Sequence, residues 1–409
     1  MGPRSLHPNG HQMPAAATLP INPDVLTWAR MESGYDVDRV AHRLGTKEDR
    51  VVAWERGEAH PTLRQVQELA AFFRRPLGLF FQPKPPKLAP LAADYRRLPG
   101  VVPGHESPEM RLAIRQMLTR RDNMLNLLGE LGEEHVAFNL VAHLGEKPEA
   151  VASRLRDALD LPVAVQLRWR DEWQALNAWR NAVEHLGILV FQFSKVELEE
   201  ARGITLLRFP LPVVGVNSKE QPEPKLFTMV HEVAHLMLAV GKEEVAALRE
   251  TRNDEQWTSV EQFAESVASH TLVPEDSLGS VIAGEGFDAQ HWGVQEVRRL
   301  ARRFRLSPLA MATRLRASGY MTWPQYRSWK AAWDEYVAAL PPRSGGFAAP
   351  VDKAVTRNGR PFTQVVLEAM HSNRITAVEA ARYLDLKAEH FSKLQEKILA
   401  GLAHGATHD

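Results

Sequence analysis

His231, Glu232 and His235, in the run Val230-His-Glu-Val-Ala-His235, have the types and spacing best suited to chemistry in this chain. On a helix the two imidazoles lie one turn apart on one face, so two nitrogens can hold one metal ion. Glu232 stands beside them, placed to take a proton from a water polarised by that ion. The motif predicts a zinc-dependent hydrolase. Its surroundings predict a buried helix. No proline interrupts Leu226 to Val240, and Phe227, Met229, Val230, Val233, Ala234, Leu236, Met237 and Leu238 are all apolar. Buried imidazoles and a buried carboxylate need partners, and a metal provides them.

Hydrolytic zinc usually takes three protein ligands and keeps one position for water. The next helical pattern, Ser259 to Ala268, is stopped by Pro274. It carries an apolar stripe (Val260, Phe263, Ala264, Val267, Ala268) and, four residues apart on one face, Glu261 and Glu265. The expected ligand set is His231, His235 and Glu261 around one Zn2+ per chain. Glu265 is the alternative ligand, or an acceptor that orients a histidine. His270 reads first as an ordinary partly buried histidine, and second as a ligand or transition-state donor.

Lys225-Leu-Phe-Thr-Met-Val-His-Glu-Val-Ala-His-Leu236, followed by Glu261-x-x-Ala264 and Thr271-Leu-Val-Pro274, resembles the ImmA/IrrE metallopeptidase family. The resemblance covers roughly residues 180–280. It implies a gluzincin-like zinc protease fold and, by analogy, cleavage of a DNA-binding repressor. The chain departs from the family pattern at Ala234, Lys225 and Glu265, where Gly, Arg and Asn are usual. None of these departures removes a ligand.

The elements before this region predict a second function. Residues 22–82 read as four short helices: Asp24–Glu32, Asp36–Leu44, Lys47–Arg56 capped by Thr46, and one from Pro61-Thr62 through Phe73. Gly45 permits the tight turn between the second and third. Val40-Ala-x-x-Leu-Gly45, Trp54-Glu-x-Gly57 and Pro61-Thr62 resemble the XRE (Cro/repressor-like) helix-turn-helix family. Arg39, Arg43, Lys47, Arg50 and Arg56, with Arg64, are the candidate contacts to phosphates or base edges. Glu48 and Asp49 at the start of the recognition helix favour its dipole and disfavour DNA.

The expected fold is mainly α with a small antiparallel β-sheet (α+β). Its order is a flexible leader (1–21), the helix-turn-helix (22–82), a proline-rich linker (83–106), the metallopeptidase-like domain (107–280), a helical extension (281–340), a second linker (341–359) and a C-terminal helical unit (360–409). Pro83 to Pro90 marks the first hinge, and Asp94-Tyr-Arg-Arg97 beyond it is similar to an element found in fused family members. Strand signals stand at Ile188–Phe193, Gly203–Phe209 and Val213–Asn217. An edge strand there is expected to hold an extended substrate by strand addition. Trp169, Trp173 and Trp179 are expected to be packing anchors. Ile375 to Leu386 has a faint helix-turn-helix pattern, with a docking or dimerisation role weighed equally.

The 409 residues are 44% hydrophobic and 24% charged, enough for two or three cores. Net charge is zero, so any DNA binding must come from a local patch. With no cysteine, disulfides and thiolate zinc sites are excluded. No apolar run spans a bilayer and no signal peptide is read, so a soluble cytoplasmic protein is expected, with no membrane partner. The expected function is a DNA-binding regulator with a zinc endopeptidase domain acting on a repressor or toxin-system partner. DNA binds through 22–82, and a homodimer is the natural state for paired half-sites. The alternative is a non-catalytic repressor or antitoxin whose zinc site is structural or sensory.

Overall fold

The structure, a computed structural model, describes the backbone of residues 18–87, 106–240, 254–341 and 348–405. The chain divides into two compact units, residues 1–89 with 105–112 and the remainder. Most of the leader, the Asp94-Tyr-Arg-Arg97 element and the core of the second linker lie outside the described residues.

In the first unit, α1 (Pro23–Glu32), α2 (Val37–Leu44), α3 (Glu48–Glu55) and α4 (Leu63–Phe73) close over a core of Leu26, Val40, Val51, Trp54, Leu69, Phe73 and Phe80. Gly45 ends α2 in the left-handed region, at φ 62°. Thr62 starts α4 with a reciprocal capping box to Gln65. The expected cap on α3 moves by one residue: Lys47 is the N-cap and no side chain bonds the first turn. Arg30 ties the unit together. Its Nε and Nη2 donate to the Glu55 carboxylate at 2.7 and 3.1 Å, and its Nη1 donates to the Tyr35 carbonyl.

The second unit holds α5 (Pro108–Leu131, from Ala113 onward), α6 (Pro148–Leu159), α7 (Val163–Gln166), α8 (Glu172–His185) and three strands, β1 (Leu189–Phe193), β2 (Gly203–Leu206) and β3 (Val213–Asn217). It continues through α9 (Pro222–Val240), α10 (Asp254–Leu272), α11 (Glu275–Gly284), α12 (Val294–Phe304), α13 (Pro308–Ala317) and α14 (Trp323–Ala338). Four more helices follow: α15 (Pro350–Asn358), α16 (Arg360–His371), α17 (Ala377–Leu384) and α18 (Phe391–Gly405). The expected boundary at residue 280 falls inside α11, and side chains as far on as Trp329 share the core of α9 and α10. Of the three tryptophans, Trp169 and Trp179 are buried but Trp173 is 54% exposed.

The sheet corrects one expectation. It is mixed, with β3 central: β1 runs parallel to β3 and β2 antiparallel. The β1–β2 connection passes over a strand position, so β2 lands beyond β3 and returns by a short turn. Two buried side chains fix these connections. Asn217 Nδ2 donates to the Val196 and Ala201 carbonyls, at 3.1 and 2.8 Å. Arg121 Nε donates to the Arg208 and Leu211 carbonyls and its Nη2 to that of Phe209, holding the β2–β3 turn. β2 is thus an edge strand, but all four of its residues are buried under α9. The expected strand addition therefore finds no open edge at Gly203–Leu206.

Candidate metal centre and nucleic-acid interface

α9 is apolar almost all round, the mark of a helix enclosed on every side. It packs against α8, α10, β2 and β3. Its prolines, Pro222 and Pro224, fall in the first turn, where no backbone donor is lost. Below the motif, Lys225 is buried and desolvation pulls its pKa down to about 8, against the attraction of Glu220. Burial raises the Glu220 carboxyl in turn, opposed by bonds from Thr228 Oγ1 at 2.9 Å and Arg202 Nη1 at 3.1 Å.

α10 must be held firmly if Glu261 is to meet α9. Its C-terminal carbonyls are capped by side chains from three other helices. Arg156 Nη1 donates to Thr271, Gln166 Nε2 to Leu272, and Arg314 Nε to Val273. Two guanidinium cations at a helix C-terminus also complement its dipole. Desolvation lowers both their pKa values, that of Arg156 to about 10.

The two helices bring His231, His235 and Glu261 together, with one ligand atom of each within 4.8 Å of the others. The two Nε2 atoms are 3.1 Å apart. Glu261 Oε2 lies 3.3 Å from His231 Nε2, and Oε1 lies 3.6 Å from His235 Nε2. A tetrahedral ion with bonds of about 2.1 Å needs donors about 3.4 Å apart; the two imidazole nitrogens are near that spacing, and each has a different Glu261 oxygen at a similar distance. Two neutral imidazole nitrogens and a carboxylate are a zinc-type donor set. The His235 side chain is 0% exposed, whereas those of His231 and Glu261 are 16% and 21% exposed. One side of the cluster therefore faces solvent, where water or a carbonyl can approach.

Glu232 is 1% exposed and turned toward β2. Thr205 Oγ1 donates to its Oε2 at 2.5 Å. Gly203, two residues earlier on the same face, leaves room for the carboxylate: a methyl there would stand 2.7 Å from Glu232 Oε1 and 2.6 Å from Thr228 Cγ2. Neither residue was read from the sequence as part of the site. Strand alternation placed 203 and 205 on one face, but nothing local says that this face meets Glu232.

Two alternatives lie elsewhere. Glu265 is exposed and outside the cluster. His270 belongs to a separate group: its Nδ1 donates to Ser266 O at 2.8 Å and its Nε2 accepts from Arg314 Nη1 at 2.9 Å. Desolvation lowers its pKa, assisted by Arg314 and opposed by Glu149 and Glu275, so its neutral form is favoured.

In the helix-turn-helix, Arg39, Arg43, Lys47, Arg50 and Arg56 are all exposed on and around α2 and α3. Arg39 lies over the Tyr35 ring and 3.6 Å from Glu109, and Arg43 lies over Phe72. Arg64 pairs with Glu68 one turn on. Glu48 and Asp49 are exposed in the first turn of α3, as read.

No curated protein matches the chain. A solved Mycobacterium tuberculosis transcriptional regulator is similar at 15% identity and a TM-score of 0.30, over 48% of this chain and 51% of that one. The chain thus spans about half the length of that protein, and so remote a likeness carries no weight. Among the described residues no helix is long and apolar enough to cross a membrane. Residues 26–80 match the family described as Helix-turn-helix and residues 183–316 match the IrrE N-terminal-like domain, so the chain joins an XRE-type helix-turn-helix domain to an IrrE-type, metallopeptidase-like domain.

Proposed function

We propose that the chain is a DNA-binding regulator whose second unit is a zinc-dependent endopeptidase acting on a protein partner, a repressor or a toxin-system component. The observation that carries this reading is the convergence of His231, His235 and Glu261, one ligand atom of each within 4.8 Å of the others, with Glu232 next to the histidines in sequence and one side of the cluster open. Zinc held by His231, His235 and Glu261 would supply Lewis acidity to a peptide carbonyl and to water. Glu232 would be the group that accepts a proton at its carboxylate from water and returns it to the leaving amine. Thr205 sets the direction of the Glu232 carboxylate, and Gly203 keeps space for it. The exposed cations of α2 and α3 bring the chain to DNA, or to a partner already bound there.

One observation favours a second reading, a regulator with a structural or sensory metal. The carboxylate that would serve as base is buried and accepts a short bond from Thr205. A proteome-derived peptide library, incubated with the zinc-loaded chain and scored for new N-termini, separates the two. Cleavage by wild type that is absent with Glu232→Gln supports the peptidase. Identical, background-level products from both leave only the non-catalytic reading.

A further inference from the structure

The faint pattern at Ile375–Leu386 gains weight from its backbone. α17 and α2 are both eight residues long. Each ends in a left-handed residue, Gly45 (φ 62°, ψ 35°) and Asp385 (φ 46°, ψ 51°). Two residues later each chain reaches a lysine in extended conformation, Lys47 and Lys387, as the N-cap of the next helical segment. The turn bonds repeat one for one. Gly45 N to His42 O (3.2 Å) is matched by Asp385 N to Arg382 O (3.3 Å). Thr46 N to Ala41 O is matched by Leu386 N to Ala381 O, and Arg50 N to Lys47 O by His390 N to Lys387 O.

The preceding turn repeats as well. Ser33, Gly34 and Tyr35 donate to Ala29, Met31 and Arg30, as Ser372, Asn373 and Arg374 donate to Glu368, Met370 and Ala369. Gly34 and Asn373 both have positive φ. Core positions correspond too: Val40, Val51 and Trp54 are buried, as are Ala380, Phe391 and Leu394. Helices α16, α17 and α18, with the 3-10 turn Ala388–His390 leading into α18, thus reproduce the three-helix plan of a DNA reader.

The faces of α18 are divided. Gln395, Ile398 and Leu399 line a cavity of about 480 Å³ with Met124 and Leu128. Ser392, Lys393 and Glu396 are exposed, with Lys387 ahead of them and Arg374 on the preceding turn. We propose that residues 360–405 are a second duplex-DNA-binding element, which sets the start of α18 in a major groove. Ser392 and Lys393 reach base edges, and Arg374 and Lys387 reach phosphates. Arg374, Lys387 and Lys393 are fewer cations than the exposed set on α2 and α3, and Lys387 lies 3.8 Å from Glu389, so the affinity here is weaker.

The test uses the full chain and a fluorescent random-sequence duplex of about 30 base pairs, followed by anisotropy across a salt series. Lys47→Glu/Arg50→Glu disables the first reader and is expected to leave weak, salt-dependent binding. Adding Lys387→Glu/Lys393→Glu is expected to remove that residue of affinity, about 10-fold or more, and to lower the salt slope by about 2. Adding Lys387→Arg/Lys393→Arg instead should keep it, which excludes a folding defect. The proposal is overturned if the N-terminal double variant binds no duplex at about 50 mM salt. It is equally overturned if the second pair changes neither affinity nor slope, or alters only self-association. None of these readings depends on the metal.

Discussion

His235 is wholly enclosed between α9 and α10, whereas Arg39, Arg43, Lys47, Arg50 and Arg56 all stand in solvent. The candidate metal centre converges one enclosed and two partly exposed side chains on a single point, so each ligand is expected to matter greatly. The DNA-facing surface spreads its interaction over several independent cations, each worth little alone. A converging polar cluster therefore concentrates function in a few atoms, and a spread of exposed cations distributes it.

The sharpest way to break this contrast is His235→Ala, which should reduce bound zinc from about one per chain to near none, read by elemental mass spectrometry. Next comes Glu232→Gln. It should retain zinc and slow peptide cleavage about 10²- to 10⁴-fold. Thr205→Val should slow it less, about 10- to 100-fold, because it only frees the carboxylate to turn. Gly203→Ala drives a methyl into Thr228 and Glu232. We expect a loss of about 1–3 kcal/mol in denaturant unfolding together with slower cleavage. On the exposed side, Arg50→Ala should weaken duplex binding at all sequences alike and lower the salt slope by about 1, with no change in bound metal.

The smallest expected effect is a pH dependence at His270. Its folded pKa lies below its ordinary value of 6.5, so the unfolded chain takes up the proton first on acidification. Stability is therefore complete above that value and falls as pH drops through it, until the folded pKa is reached. Thermal midpoints measured from about pH 7.5 down to about pH 5.5 should fall further for wild type than for His270→Asn.

His231, Glu232 and His235 were legible because helical spacing alone joins them. Glu261 was legible because an apolar stripe fixed the face of the next helix. The same logic could not choose between Glu261 and Glu265. One helical turn separates them, and only packing against α9 makes one approach the histidines while the other stays exposed. The order of the sheet was hidden for a similar reason. Alternation marks strands, but whether β1 meets β3 or β2 is decided by the long connection that Asn217 pins. The contributions of Thr205, Gly203 and Arg121 are contacts between segments distant in sequence, for which no local pattern exists. The start of α4 at Pro61-Thr62 was legible in local chemistry and appears as a local capping box, whereas the cap expected from Thr46 on α3 does not form.

The most direct test of the account is zinc stoichiometry for wild type, Glu261→Ala and Glu265→Ala, prepared side by side. The account predicts about one zinc per chain in wild type and in Glu265→Ala, and a sharp loss in Glu261→Ala. Full zinc in Glu261→Ala, or none in the wild type after zinc is supplied, would contradict a three-ligand centre on α9 and α10.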